Sequence, residues 1–226
     1  MCEQPDLKSV SLSTPKAVRV RLPTATTPGE DTINKALWVI MTVLAVIVAA
    51  YALLVLLMPG FGPRFIAERR AFVPIALSAH LAGGLTALAI GPWQLNGRLR
   101  NRALGSHRWM GRVYVIAVLV GGLGALGLAS LSEAGFVTHV GFGLLAVLWL
   151  TATFQAYLRI RAGDQVGHRE WMIRSFALTL AAVTLRVYLP LSQFVGIPFA
   201  DAYQAVAWAC WVPNLVVAEW LVLRRR

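Results

Sequence analysis

The sequence predicts an all-α, polytopic membrane protein with six transmembrane helices. Three observations carry this reading. Of 226 residues, 58% are hydrophobic and only 14% charged, and the mean hydropathy is +0.65. Soluble domains sit nearer 45–50% apolar and about 25% charged. The apolar residues fall into six separate runs, each meeting the roughly 20 residues that a helix needs to cross the hydrocarbon core. No run alternates as a barrel strand does, which leaves helices as the spanning elements.

Residues 1–34 are polar and rich in Thr, Ser and Pro, with Lys8, Lys16, Arg19 and Arg21 scattered among them. They lack the apolar core of a signal peptide, and their composition predicts a flexible tail. The membrane domain then covers residues 35–226. Its first span is 36–58, stopped by Pro59-Gly60. The second is 72–95, where Pro74 is tolerated in the first turn. The third is 109–131 and the fourth 136–158, separated by Ser132-Glu133-Ala134-Gly135. The fifth is 171–195 and the sixth roughly 201–223. No span shows a mid-membrane break in its sequence.

Six spans put both termini on one side, here called side B, with side A opposite. Side B holds 17 of the Lys and Arg residues, in the tail, the 96–108 and 159–170 loops, the adjoining helix starts and the C-terminus. Side A holds Arg64, Arg69 and Arg70, and Arg186 lies within a span. Side B is therefore expected to be cytoplasmic. The net charge of +11 reads as a topology signal and not as a nucleic-acid footprint. Cys2 and Cys210 form neither a metal-ligand spacing nor a disulfide framework.

The second and third spans repeat as the fourth and fifth. His80-Leu-Ala-Gly-Gly84-Leu85-Thr-Ala87 aligns with His139-Val-Gly-Phe-Gly143-Leu144-Leu-Ala146. Gln94, Arg98, Arg100, His107 and Arg108 align with Gln155, Arg159, Arg161, His168 and Arg169. After one inserted residue, Trp109-Met110-x-Arg112 matches Trp171-Met172-x-Arg174. The reading is a duplicated helix hairpin, about 72–131 and 136–195, forming a four-helix core from spans two to five.

All four histidines of the chain occupy matching places of this repeat, one on each core span. At 1.5 Å per residue, His80 lies roughly 12 Å in from side A, and His139 nears the same level. His107 and His168 sit at the side-B starts of spans three and five. Two neutral imidazoles facing each other from different helices are what a b-type haem asks for. The pairs His80 with His139 and His107 with His168 are thus candidate iron ligands for one or two haems. Gly83, Gly84, Gly141 and Gly143 would let a ring approach the backbone. The plainer alternative is that histidines at helix starts are interfacial residues satisfied by water or headgroups, above all His107 and His168.

Arg112 and Arg174 are repeat partners a few residues deeper than their histidines, and Arg186 lies about 15 residues into span five. Charges at such depth should face the interior and find partners. Haem propionates and Glu219 are candidates, against structural pairing or snorkelling. Arg98, Arg100, Arg159 and Arg161 form a basic funnel on side B, suited to an anionic reductant or to lipid headgroups. Trp93, Trp109 and Trp171 sit at span ends, as an interfacial belt predicts. Nothing forms a nucleophile–base group or a phosphate loop, so no catalytic residue is assigned.

The stretch from His80 to Glu219 resembles a bacterial family of predicted membrane proteins, domain of unknown function 2306. The resemblance is carried by residues 80–95, HRWMGRVYV from His107, REWMIRSFALTLAAVTLRVYLPL from Arg169 and AWACWVPNLVVAEW from Ala207. It implies a membrane protein and little more. More remotely, the chain resembles ascorbate-reducible di-haem cytochromes b of the b-561 type, which carry one histidine on each of spans two to five. That resemblance implies His80–His139 and His107–His168 ligation, with Arg100 and Arg161, each seven residues before its histidine, contacting ascorbate. The deeper Arg112 and Arg174 depart from it.

The leading expectation is a transmembrane electron carrier binding haem b, fed by a small donor such as ascorbate or a quinol. The alternatives are a permease for a small anion, using Arg112, Arg174 and Arg186, and a non-catalytic membrane partner protein. The lipid bilayer is the first expected partner, a homodimer stays open, and nucleic acid is not expected.

Overall fold

The computed structural model describes residues 28–132 and 134–224, and their side chains apart from those of residues 28–34 and Leu99. The expected tail and Cys2 thus lie largely outside the described residues. The described chain is helical, in the order α1 (Pro28–Leu57), α2 (Arg64–Phe72), α3 (Pro74–Leu95), α4 (Gly97–Arg102), α5 (Leu104–Ala129), α6 (Phe136–Arg161), α7 (Gln165–Thr179), α8 (Ala181–Phe194), α9 (Phe199–Ala209) and α10 (Val212–Leu223). Six stretches are long and apolar enough to cross a membrane: Lys35–Leu57, Pro74–Leu95, Leu104–Ala129, Phe136–Arg161, Gln165–Phe194 and Phe199–Leu223. Large apolar side chains such as Ile47, Ile116 and Leu123 point outward, as a lipid-facing surface requires and a water-facing one would not tolerate.

Two details differ from the sequence reading. Spans three and five start about a turn earlier, at Leu104 and Gln165. Polar interfacial residues still form helix there, and the Asp164 carboxylate caps α7 by accepting the Gly167 N–H at 2.8 Å. His107 and His168 therefore lie inside their helices. Spans five and six are also interrupted, at Leu180 and at Cys210-Trp211, where uninterrupted helices were expected. In span six Pro213 has no N–H to give the Ala209 carbonyl. Asn214 bridges both interruptions. Its Nδ2 lies 3.3 Å from the Ala177 carbonyl, 3.0 Å from the Cys210 carbonyl and 2.9 Å from Thr184 Oγ1. Backbone polar groups freed in a bilayer need such a partner.

The helices of spans two to five pack as a ring. α3 lies along α5, α5 along α6, α6 along α7, and α7 closes against α3. Hence α3 opposes α6 across one diagonal, and α5 opposes α7 across the other. α1 covers α3 and α8, while α9 and α10 cover α6, α8 and α7. Side-chain-free surfaces set the closest approach, as is usual where lipid gives no hydrophobic drive between helices. A Cβ on Gly83 would sit 2.3 Å from the Ala117 carbonyl and 2.5 Å from the Gly121 nitrogen, and one on Gly124 would sit 2.5 Å from the Ala76 carbonyl. On side A, α2 is held down by Arg70, whose Nη2 donates to the Val55 carbonyl at the end of α1.

Candidate functional site

A cavity of about 260 Å³ opens in the side-A half of the helix ring. This is close to the lower end of small-molecule sites, roughly 300–1,000 Å³. Its walls are mostly aliphatic, and its polar groups are few: His80, Arg69, Arg186, Ser132, Thr179 and Tyr203, with no Asp or Glu among the described lining residues. α2 roofs it with Phe65, Ile66 and Arg69, and Trp149, Thr179 and Cys210 reach its deeper part. The interruptions of spans five and six border it, through Leu178, Thr179, Ala181 and Ala182 and through Cys210.

His80 is fixed by the glycine contact between α3 and α5. Because the two backbones meet at Gly83 and Gly121, His80 Nδ1 reaches the Gly121 carbonyl at 3.1 Å. With a carbonyl as partner, Nδ1 carries the proton and donates, which leaves Nε2 as the lone-pair nitrogen. His139 is placed differently. Its Nε2 lies 2.6 Å from the Ser132 carbonyl, so Nε2 is the donor and Nδ1 the free nitrogen. It stands one turn before Phe142, which lines the cavity, while Ser132 itself lines it. His139 is thus at the cavity's rim, across the diagonal from His80, and does not line it.

Of the four glycines expected to admit a ring, Gly83 is filled by α5 and Gly141 by the Ala207 carbonyl and Trp208 of α9. Gly84 and Gly143 remain open: a Cβ on Gly84 would meet nothing within 4 Å, and Gly84 lines the cavity.

On side B, His168 Nδ1 is 2.9 Å from the Ala156 carbonyl, which again leaves Nε2 free. His107 lies within electrostatic reach of His168, Arg100 and Arg108. Seven residues deeper on the same two helix faces, Tyr114 Oη contacts Ser175 Oγ at 3.0 Å, so these faces of α5 and α7 point at each other. Arg161 is exposed at the end of α6.

The deeper arginines separate into three cases. Arg112 is exposed on α5 and does not face the interior, contrary to expectation. Arg174 makes a two-pronged pair with Glu219, Nε to Oε1 at 2.6 Å and Nη2 to Oε2 at 2.8 Å, and stacks 4.7 Å over Trp171. It thereby holds α10 to α7. Arg186 lines the cavity.

Between the two histidine levels lies a buried hydroxyl cluster that the sequence reading did not single out. Tyr114 Oη contacts Ser175 Oγ and, at 2.9 Å, Thr179 Oγ1. Trp149 Nε1 donates to Thr179 Oγ1 at 2.9 Å, and Thr153 Oγ1 meets Ser175 Oγ at 2.7 Å. The available signal was spacing: Tyr114 and Ser175 each follow a histidine, His107 and His168, by seven residues.

Among the described residues no three His, Cys, Asp or Glu side chains gather into a metal-holding group. Two imidazoles facing across a flat macrocycle are a different arrangement, and the donors here fit it in part. His80 and His168 each offer a free Nε2 with the other nitrogen anchored on a carbonyl, the outer-shell pattern that orients an axial ligand. His139 would have to turn from Ser132 to offer a nitrogen to the cavity.

No curated protein and no solved structure matches the chain. One family model does, over residues 77–222, covering nearly all of α3 through α10 and thus the helix ring, while the α1 and α2 residues that line the cavity lie before it. The chain belongs to the family of predicted membrane proteins named for domain of unknown function 2306.

Proposed function

We propose that this integral membrane protein carries electrons across the bilayer on b-type haem. The observation behind the reading is the placement of the four histidines. Each stands on a different helix of a closed ring, and the proposed partners oppose each other across its two diagonals, one pair toward each membrane face. Imidazoles on opposing helices of the ring would reach a group held between them from two sides, where it would supply a redox-active iron. His80 and His139 would hold the side-A group, with open Gly84 beside it, and His107 and His168 the side-B group. A bound haem supplies a one-electron iron couple in a low-dielectric site. The chain's own part is to fix the imidazoles through the Gly121 and Ala156 carbonyls and to exclude water with aliphatic walls. The basic residues of side B, Arg100 foremost, favour an anionic donor such as ascorbate, and the positive-inside rule makes that side cytoplasmic.

The test is an absorption spectrum of protein purified from haem-supplied cells. The reading expects a Soret and α-band change on dithionite addition, with the side-A contribution lost in His80→Ala or His139→Ala. Protein without any haem under those conditions ends it. A second reading, a permease for a small anion, is favoured by the interruptions of spans five and six beside the cavity. Discontinuous spans mark binding sites in many transporters. Anion uptake by proteoliposomes, lost on Arg186→Gln, would support it.

A further inference from the structure

We propose that Arg186 is a carboxylate-binding site, and that the cavity takes an apolar molecule carrying an acid group. The inference deepens the haem reading, since propionates are such groups, but it does not require iron. Three observations carry it. First, Arg186 Nε is buried and has no hydrogen-bond partner. Its other contacts are a bond from Nη1 to the Ala182 carbonyl of its own helix at 2.9 Å and the face of Tyr51, 5.2 Å from the guanidinium carbon. Neither is an anion. Second, no carboxylate lines the cavity among the described residues. Third, the same span treats its other part-buried arginine differently: Arg174, about three turns earlier, gives Nε and Nη2 to both oxygens of Glu219.

A guanidinium withdrawn from water is costly unless it is paired. Its planar fork matches a carboxylate through two parallel bonds. Arg174 finds that carboxylate within the protein. Arg186 lines the cavity, and the aliphatic walls there suit the rest of an amphipathic acid. Two sources share this chemistry, a porphyrin propionate and a long-chain fatty acid.

The experiment titrates the purified full-length chain in detergent with two acid–ester pairs. One is iron-free protoporphyrin IX with its dimethyl ester, and the other is oleate with methyl oleate. Binding is read by quenching of tryptophan fluorescence, Trp149 being in the cavity wall. In at least one pair the acid binds about tenfold more tightly than the ester, as one charge-assisted pair allows. Arg186→Gln abolishes the preference. Arg112→Gln, at an exposed position, retains it. Arg186→Lys keeps the charge without the fork and gives an intermediate preference, which also serves if the glutamine variant fails to fold. Equal affinity for acid and ester in both pairs, or a preference unchanged in Arg186→Gln and Arg186→Lys, overturns the proposal. Oleate selectivity without porphyrin binding keeps the carboxylate site and assigns it to a fatty acid and not to a propionate. A haem spectrum without any acid preference removes the carboxylate site and keeps the haem reading.

Discussion

Replacing Gly83 by alanine should loosen the protein where replacing its neighbour Gly84 does not. The two residues share a helix turn, a depth in the membrane and a backbone conformation, and differ in the face they present. The added methyl at Gly83 would lie 2.3 Å from the Ala117 carbonyl and 2.6 Å from Gly121 Cα, whereas ordinary contact begins at 3.4 Å. Both obstacles are backbone, so no side chain can swing away. Relief therefore needs α3 and α5 to part by about 1 Å, the difference between 3.4 and 2.3 Å. The bond from His80 Nδ1 to the Gly121 carbonyl, now 3.1 Å, would open to about 4 Å, beyond hydrogen-bonding range. Overpacking costs roughly 1–3 kcal/mol and the lost bond about 0.5–1.5 kcal/mol. Set against alanine's better helix propensity, up to about 1 kcal/mol, Gly83→Ala is thus expected to destabilise by about 1–3 kcal/mol. At Gly84 the methyl enters open space, and alanine's better helix propensity, worth up to about 1 kcal/mol, works in its favour. Reversible unfolding of both variants in mixed micelles measures the difference. Equal stability of the two would refute the packing argument and, with it, the account of how His80 is oriented.

Three further outcomes follow from contacts already described. A double-mutant cycle with Arg174→Gln and Glu219→Gln should give a coupling of about 1–2 kcal/mol. That is reduced from the roughly 1.5–3 kcal/mol of charged hydrogen bonds because the Glu219 side chain is 43% exposed. An unfolding cycle with no coupling would mean that α10 is held by packing alone. Tyr114→Phe should cost about 1 kcal/mol, since Ser175 and Thr179 keep Thr153 and Trp149 as partners. Thr179→Val should cost more, because Trp149 Nε1 and Tyr114 Oη lose a shared acceptor in the core. The reverse order in thermal unfolding would contradict the cluster's connectivity.

Some of this was readable in the chain and some was not, for definite reasons. The six spans follow from run length and composition, because insertion in a bilayer depends on each segment's own transfer energy. Their N-terminal bounds at spans three and five were harder to see, since helix continues through polar residues such as Ser106, Arg108 and Arg169 once a cap like Asp164 is present. The interruption at Cys210-Trp211 had a visible cue in Pro213, but that at Leu180 has none. It accompanies the hydroxyl cluster, where Thr179 serves Tyr114 and Trp149 from other helices.

By itself the sequence determined a helical membrane protein, its six spans, the uneven distribution of positive charge and the four histidines at matching positions. Each of these belongs to one segment or to a comparison of segments. The tertiary structure alone decided that Arg174 meets Glu219 while Arg186 meets a cavity, and that Gly83 is filled while Gly84 is open. It also decided that His139 turns to Ser132 at the cavity rim. The physical reason is rotation about the helix axes. In a bundle whose spans are apolar on nearly every side, periodicity carries little information about which face turns inward, and close backbone contacts among glycines settle it instead.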